Sequence, residues 1–334
     1  MCKMEASSFW TDRTVLVTGC TGLLGSWLTE ALVQAQANVV GLIRDKVPSG
    51  RLHTNGTIDR ITVVSGEVED YLLLERVLNE YQVQTVFHLA AQTIVGIANQ
   101  SPLSTFESNI RGTWHILEAC RRTPCVEQLL VASSDKAYGE HAELPYSEEA
   151  PLLGSHPYDV SKTCADLLAQ SFWKTYQLPV CITRFGNLFG PGDSNFNRLI
   201  PGTIRSAVRN EAPVIRSDGK FSRDYVYVED AAAAYMLLAK NMAENPNIRG
   251  EAFNFSYESP LTAREVVDKI LVQMTRTDLR PVVLDAAQNE IPHQYLSASK
   301  ARERLGWRPT FSFDEGLRRT IPWYMDLLGG QGNT

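Results

Sequence analysis

Two periods of apolar and polar positions alternate along the first half of the chain. Short runs rich in β-branched residues read as strands: "TVLVTG" (14–19), "NVVGLIR" (38–44), "ITVVSGEV" (61–68), "TVFHLA" (85–90), "QLLVASS" (128–134) and "PVCITRFGN" (179–187). Helical periods lie between them. Leu24, Leu28, Ala31, Leu32 and Ala35 share one face, and "LLLERVLNEY", "NIRGTWHILEACRR" (109–122) and "YDVSKTCADLLAQSFWKTYQ" (158–177) repeat the pattern. The strands are continuously apolar, which predicts a parallel sheet with helices on both faces, the α/β doubly wound class.

After Asn187 the pattern changes. "LFGPGDSNFNRLIPG" reads as a loop leading into a helix at 199–209, and "RDYVYVEDAAAAYMLLAKNM" (223–242) returns to strand followed by helix. The division predicted is a dinucleotide-binding domain over 1–187 that also receives about 224–257, and a smaller interleaved C-terminal domain over 188–223 and 258–330 that binds substrate.

Composition narrows the function. The 334 residues are 44% hydrophobic and 21% charged, enough for a large core. Net charge is −6 and no Lys/Arg block exists, so no nucleic-acid partner is expected and an anionic ligand must be held by local arginines. The cysteines at 2, 20, 120, 125, 164 and 181 form no CxxC pair and lie near no His at zinc spacing, so no metal is expected. Reduced thiols in a cytosol are the expectation. "MCKMEASSFW" is too short and polar for a signal peptide, and no apolar run approaches the roughly 18 residues of a membrane span. A soluble, cytoplasmic protein without a membrane partner is expected.

"VTGCTGLLG" places Gly19, Gly22 and Gly25, with Thr21, Leu23 and Leu24 among them, between a strand and a helix. There the backbone can approach a pyrophosphate, and the helix N-terminus offers free N–H groups, the pattern of a Rossmann-type dinucleotide site. Strand two ends at Ile43-Arg44-Asp45. Arg44 there suits a 2′-phosphate and favours NADP; a one-residue shift would put Asp45 on the ribose hydroxyls and favour NAD. Both could instead be solvated loop charges.

Tyr158 and Lys162 are spaced i, i+4 and share a helix face. A phenol with a pKa of about 10 is a poor base at neutral pH. Lowering it by about 3 units takes roughly 4 kcal/mol, within reach of two cationic neighbours, an ammonium and an oxidised nicotinamide. Ser134, ending strand five, could share the substrate oxygen with Tyr158.

On "TGCTGLLGSWL", "HLAAQ", "SNIRGTWHILEAC", "SSDKAYG", "YDVSK", "RFGNLFGPGD", "RDYVYVED" and "SASKARERLGWRP", nearly the whole chain resembles the extended short-chain dehydrogenase/reductases of the sugar-nucleotide epimerase/dehydratase type. The resemblance implies a tightly bound NAD or NADP, with Ser134, Tyr158 and Lys162 as the catalytic trio. It implies that Asn109 helps hold an active-site water and Lys162. Leu89, Ala90, Ala91 and Gln92 would lie along the cofactor, and Glu67 and Val68 near the adenine. Glu67 stands where the family usually has Asp.

Members share oxidation at sugar carbon 4. An epimerase then returns hydride to the other face of carbon 4. A 4,6-dehydratase also removes the carbon-5 proton and the carbon-6 hydroxyl, which requires another acid and base. Asp135 as acid and Lys136 as base or enolate stabiliser answer that need; the alternative is a charged pair on a solvated turn. Ser-Asp-Lys, "FW" (9–10), "GSWL" and "HQYLSASKA" resemble CDP-glucose 4,6-dehydratases, whereas "RDYVYVED" and Arg44 depart from them. The expected activity is NDP-hexose 4,6-dehydration on a CDP-glucose-like substrate. The alternatives are a 4-epimerase of UDP-glucose or UDP-glucuronate type, or a GDP-mannose 4,6-dehydratase.

Asn187, Arg216 and Arg223 are the candidates for gripping the diphosphate. Arg198, beside Leu199, could reach the nucleotide or only cap the helix that follows. His293 and Tyr295 fall where relatives place substrate contacts. The helices near 105–122 and 158–177 carry apolar residues on more than one face, and the resemblance implies a homodimer through a four-helix bundle.

Overall fold

The computed structural model describes residues 9–286 and 290–329; Cys2 and most of the N-terminal segment lie outside them. The apolar runs of the first half become β1 (Thr14–Thr18), β2 (Asn38–Ile43), β3 (Thr62–Ser65), β4 (Thr85–His88), β5 (Gln128–Ala132) and β6 (Val180–Phe185). Interspersed are α1 (Leu23–Gln34), α2 (Arg51–Thr54), α3 (Tyr71–Glu80), α4 (Val95–Gln100), α5 (Pro102–Phe106), α6 (Gly112–Arg122) and α7 (Pro157–Tyr176).

In the second half come β7 (Asn187–Phe189), α8 (Leu199–Val208), β8 (Val214–Ile215), β9 (Ser222–Arg223), β10 (Tyr225–Tyr227), α9 (Val228–Glu244) and β11 (Ala252–Phe255). They are followed by β12 (Leu261–Thr262), α10 (Ala263–Gln273), β13 (Val282–Val283), β14 (His293–Gln294), α11 (Ser299–Leu305) and α12 (Phe313–Gly329).

The main sheet has seven parallel strands in the order β11-β6-β5-β4-β1-β2-β3. Strand alternation divides the core between its faces. Val15, Val17, Phe87 and Leu130 point to one face and pack with residues of α1 and α9. Leu16, Val86, Leu129 and Val131 point to the other and pack under α3, α6 and α7. Each such side chain, fully buried, contributes roughly 1.5–3 kcal/mol. A third cluster, including Phe189, Ile200, Tyr225, Leu317 and Tyr324, joins the shorter elements of the second half.

Strand order reverses between β1 and β4, whose carboxyl ends border a crevice. β1 stops at Thr18 because Gly19 takes φ +75°. The helix expected from 109 begins at Gly112, after a wide turn at Glu107–Arg111. Thr113 Oγ1 donates to the Asn109 carbonyl at 2.6 Å in that turn. A Cβ on Gly112 would lie 2.6 Å from Val68 Cγ2, so only glycine lets this helix approach so closely.

Candidate active site

A cleft of about 1060 Å³ opens over the carboxyl ends of the sheet. From the first half, its walls take Gly19, Thr21, Gly22, Leu23, Leu24, Gly25, Arg44, Asp45, Val68, Leu89, Ala90 and Ala91. Ser134, Asp135, Lys136, Tyr158 and Lys162 line it too, as do Asn187, Arg198, Leu199, Arg216 and Arg223.

The glycine loop fits a pyrophosphate. Gly22 caps α1 with no side-chain acceptor, and Ser26 is the first helical residue to donate back, to the Gly22 carbonyl at 3.0 Å. The N–H groups of the first turn are thus free at the cleft wall. A Cβ on Gly25 would collide with the Gly19 carbonyl. Beneath the loop, His88 is buried between Thr18 Oγ1 (3.0 Å) and Thr113 Oγ1 (3.1 Å). Burial lowers its pKa to about 3, so it serves as a neutral spacer.

Tyr158 and Lys162 lie one turn apart on α7, both buried. Burial pushes the Tyr158 phenol up to about 12, with the Asp135 charge adding to the rise and a hydrogen bond with Ser134 opposing it. Burial lowers the Lys162 ammonium to about 8, and its Nζ donates to the Ala132 carbonyl at 2.8 Å. The protein alone therefore keeps the phenol protonated, and phenolate formation needs a further positive charge in the cleft.

Ser134 caps a short turn, Asp135–Tyr138, by accepting from the Lys136 N–H at 3.2 Å. Its Oγ donates to Asp135 Oδ1 at 2.9 Å. Lys136 Nζ lies 3.3 and 3.5 Å from the two Asp135 oxygens. Asp135 is 2% exposed, so this charged pair is not the solvated turn of the alternative reading. Burial lowers the Lys136 pKa, with Asp135 the main opposing influence.

Arg198 does not cap α8 with its side chain; Nη1 donates to Asp193 Oδ2 at 2.9 Å. Arg216 Nη2 donates to Asn197 Oδ1 at 3.3 Å. Arg223 Nη1 donates to the Ser222 and Pro292 carbonyls, both at 2.9 Å. Asn187 hydrogen-bonds the buried Tyr225 hydroxyl.

Five residues singled out from sequence are not in the cleft wall. Glu67 is exposed, and Glu69 lines the cleft instead, accepting from Ser108 Oγ at 2.6 Å. Asn109 and Gln92 engage each other: Asn109 Oδ1 accepts from the Gln92 N–H at 2.7 Å, and Nδ2 donates to the Gln92 carbonyl at 3.1 Å. Asn109 Nδ2 also donates to Ser161 Oγ at 2.9 Å. Asn109 therefore steadies α7 one residue before Lys162, and its side chain is committed elsewhere than to the lysine. His293 is exposed and bonds Ser222 Oγ through Nδ1 at 2.9 Å. Tyr295 offers its carbonyl to Tyr146 N–H at 3.0 Å. Between those two, Gln294 is fully buried and reaches the turn that carries Asp135 and Lys136. Sequence reasoning missed it, Glu69 and Asp159; the last stands beside Tyr158, buried and in the cleft wall.

Among the described residues no cluster of His, Cys, Asp or Glu could hold a metal ion, and no helix is long and apolar enough to cross a membrane. Cys20, Cys120, Cys125, Cys164 and Cys181 are free thiols.

A parallel sheet with a glycine loop at its switch point, and Ser, Tyr and Lys gathered at the strand ends, defines a nicotinamide-dinucleotide enzyme of the short-chain dehydrogenase/reductase class. The family model for GDP-mannose 4,6 dehydratase matches residues 16–320, and the chain belongs to that family. It is 30% identical to a CDP-glucose 4,6-dehydratase of Salmonella typhimurium, over 98% of this chain and 95% of the relative. A dTDP-glucose 4,6-dehydratase of Streptomyces venezuelae, solved with NAD, superposes with TM-score 0.84 at 26% identity, covering 95% of this chain and 98% of the other. A UDP-glucose 4-epimerase of Thermotoga maritima, solved with UDP-glucose, superposes with TM-score 0.85 at 27% identity, covering 94% and 99%.

Proposed function

We propose that the protein is an NDP-hexose 4,6-dehydratase acting on a CDP-glucose-like substrate. The observation that carries this reading is the pairing of the buried Asp135 with the half-buried Lys136, which follow Ser134 in the same turn and share a cleft with Tyr158. Its supporting comparison is the Salmonella relative, alike over almost the whole chain.

A nicotinamide dinucleotide held in this cleft would supply the acceptor for the carbon-4 hydride, a positive charge to lower the Tyr158 pKa, and the hydride for carbon 6. Tyr158, aided by Ser134, takes the proton of the carbon-4 hydroxyl. Lys136, as neutral amine, takes the carbon-5 proton made acidic by the new ketone. Asp135 protonates the carbon-6 hydroxyl as it leaves as water. Lys136 then returns its proton to carbon 5. Gly19, Gly22 and Gly25 would hold the pyrophosphate, and Arg44 beside Asp45 would meet the adenosine ribose, favouring NADP. Arg198, Arg216 and Arg223 would meet the sugar nucleotide, with residues 188–223 and 258–330 forming that side of the site.

The second reading is 4-epimerisation, favoured by the likeness to the Thermotoga epimerase. For it Asp135 and Lys136 would have no chemical task. A homodimer through α6 and α7 is part of the proposal. Its support is the exposure of Trp114, Leu167 and Tyr176 on those helices, and light scattering should give twice the chain mass.

The test is incubation with CDP-, GDP-, UDP- and dTDP-hexoses, followed by mass analysis. Loss of about 18 Da without net cofactor turnover supports dehydration. Unchanged mass with inverted carbon 4 overturns it in favour of epimerisation.

A further inference from the structure

Lys136 is gripped by a residue far from its own turn. Gln294 on β14 stands 158 residues along the chain, and its Oε1 accepts a hydrogen bond from Lys136 Nζ. Its Nε2 donates to the Asp135 carbonyl at 3.0 Å. The second bond decides which amide atom faces the lysine. With the amide turned over, two donors would meet at Lys136 and two acceptors at Asp135. Gln294 is 0% exposed, so neither group could turn to water instead. β14 is itself held: it pairs with β9, and Leu296 N–H donates to the buried Asp224 Oδ2 at 2.6 Å.

We infer that Gln294 is a positioning residue that aims the Lys136 amine at the sugar carbon whose proton it removes. The inference rests on the dehydratase reading. A neutral amine carries two N–H donors and one lone pair. Gln294 Oε1 and one oxygen of the Asp135 carboxyl, whose other oxygen carries the proton it will give, take the two donors. The lone pair is left the remaining tetrahedral direction, and Lys136 lines the cleft. There it accepts the carbon-5 proton. The electrons of that C–H bond form the carbon 5–carbon 6 double bond, and the carbon 6–oxygen bond breaks as Asp135 protonates the departing hydroxyl. The ammonium so formed later gives its proton back to carbon 5.

A glutamine suits this task because it accepts a hydrogen bond without adding charge. The charged groups facing Lys136 come from several elements. Asp135 is on its own turn, Asp159 is on the first turn of α7 beside His156, and Arg223 is on β9 with Glu290 3.9 Å beyond. Burial and Arg223 favour the neutral amine, while Asp135 and Asp159 favour the ammonium. One more carboxylate would tip that balance.

The experiment compares Gln294→Glu and Gln294→Leu with the unsubstituted enzyme. Water loss is followed against pH by mass, and carbon-4 oxidation by single-turnover reduction of the bound cofactor. Gln294→Glu, nearly the same shape, should move the rising limb of the elimination profile up by about 1 pH unit. Gln294→Leu should slow elimination roughly 100-fold with KM unchanged. Carbon-4 oxidation should keep its rate in both. If both variants slow the two steps equally, or leave the limb in place, Gln294 is only structural and the inference falls. Absence of water loss in the unsubstituted protein overturns the dehydratase reading and this inference together; water loss with an unmoved limb overturns this inference alone.

Discussion

Arg184 grips both carboxylate oxygens of Asp166, with Nε and Nη2 donating at 2.8 and 2.9 Å and the two side chains 2% and 0% exposed. The pair ties β6 to α7 one turn beyond Lys162. Arg184 Nη1 also donates to the Tyr138 hydroxyl at 2.7 Å, and Tyr138 ends the turn that carries Asp135 and Lys136. One guanidinium thus fixes the helix bearing Tyr158 and Lys162 relative to the turn bearing Asp135 and Lys136.

Removing one member should be costly, because the other stays buried and charged. Asp166→Ala is expected to lose about 3–5 kcal/mol of unfolding free energy. Adding Arg184→Met should recover part of it. Denaturant unfolding of the two variants checks this, and a loss below 1 kcal/mol for the single change would contradict it.

Lys136→Met keeps an unbranched side chain one heavy atom shorter and removes the amine. Carbon-4 oxidation should survive, seen as cofactor reduction on adding substrate. Water loss should fall by roughly 10²- to 10⁴-fold, the usual contribution of a general base. Full dehydration by the variant would remove Lys136 from the mechanism.

Asp224 is fully buried, and burial raises its carboxyl to about 7. In the unfolded chain it titrates at about 3.9. Between those values the folded state holds the extra proton, so stability falls as pH rises from about 4 to about 7, and the penalty is complete above that. Asp224→Asn is neutral throughout and retains an acceptor for Leu296 N–H. At pH 8 it should exceed the unsubstituted protein in stability by up to about 4 kcal/mol, with the gap closing toward about pH 4. Thermal melts across that range provide the measurement; a gap independent of pH would refute the assignment.

Arg44 and Asp45 form an exposed ion pair at 2.7 Å beside the cleft. Arg44→Ala should weaken NADP about tenfold and change NAD less than about threefold, since only NADP offers a 2′-phosphate. Titration calorimetry with both cofactors decides. An equal loss for both would mean that Arg44 does not read the phosphate.

Much of the site was legible because the chemistry sits in short local strings. "VTGCTGLLG" carries its own strand, turn and helix, and "YDVSK" places Tyr158 and Lys162 on one face by helix period alone. "SSDKAYG" put Ser134, Asp135 and Lys136 in one turn. Elsewhere the direction in which a side chain leaves the backbone decides whether it meets the cleft. Glu67 and Glu69 lie in the irregular turn after β3, where no strand alternation holds and Glu69 is the one that lines the cleft, while His293 and Tyr295 stand on either side of Gln294. Adjacent side chains of an extended segment point to opposite sides, so an error of one reverses the assignment. Asn109 was given the right neighbourhood and another partner, because the wide turn before α6 swings its amide onto Gln92 and Ser161.

The sequence by itself determined the class of fold and placed the glycine loop, Ser134 and the Tyr158–Lys162 face, since each depends on periodicity and spacing within a few residues. Only the tertiary structure decided that Asp135 is buried with Lys136 half-buried over it, that Arg184 binds Asp166, and that Gln294 meets Lys136. Burial and hydrogen bonds between segments many residues apart are set by how layers pack, and no local pattern encodes them.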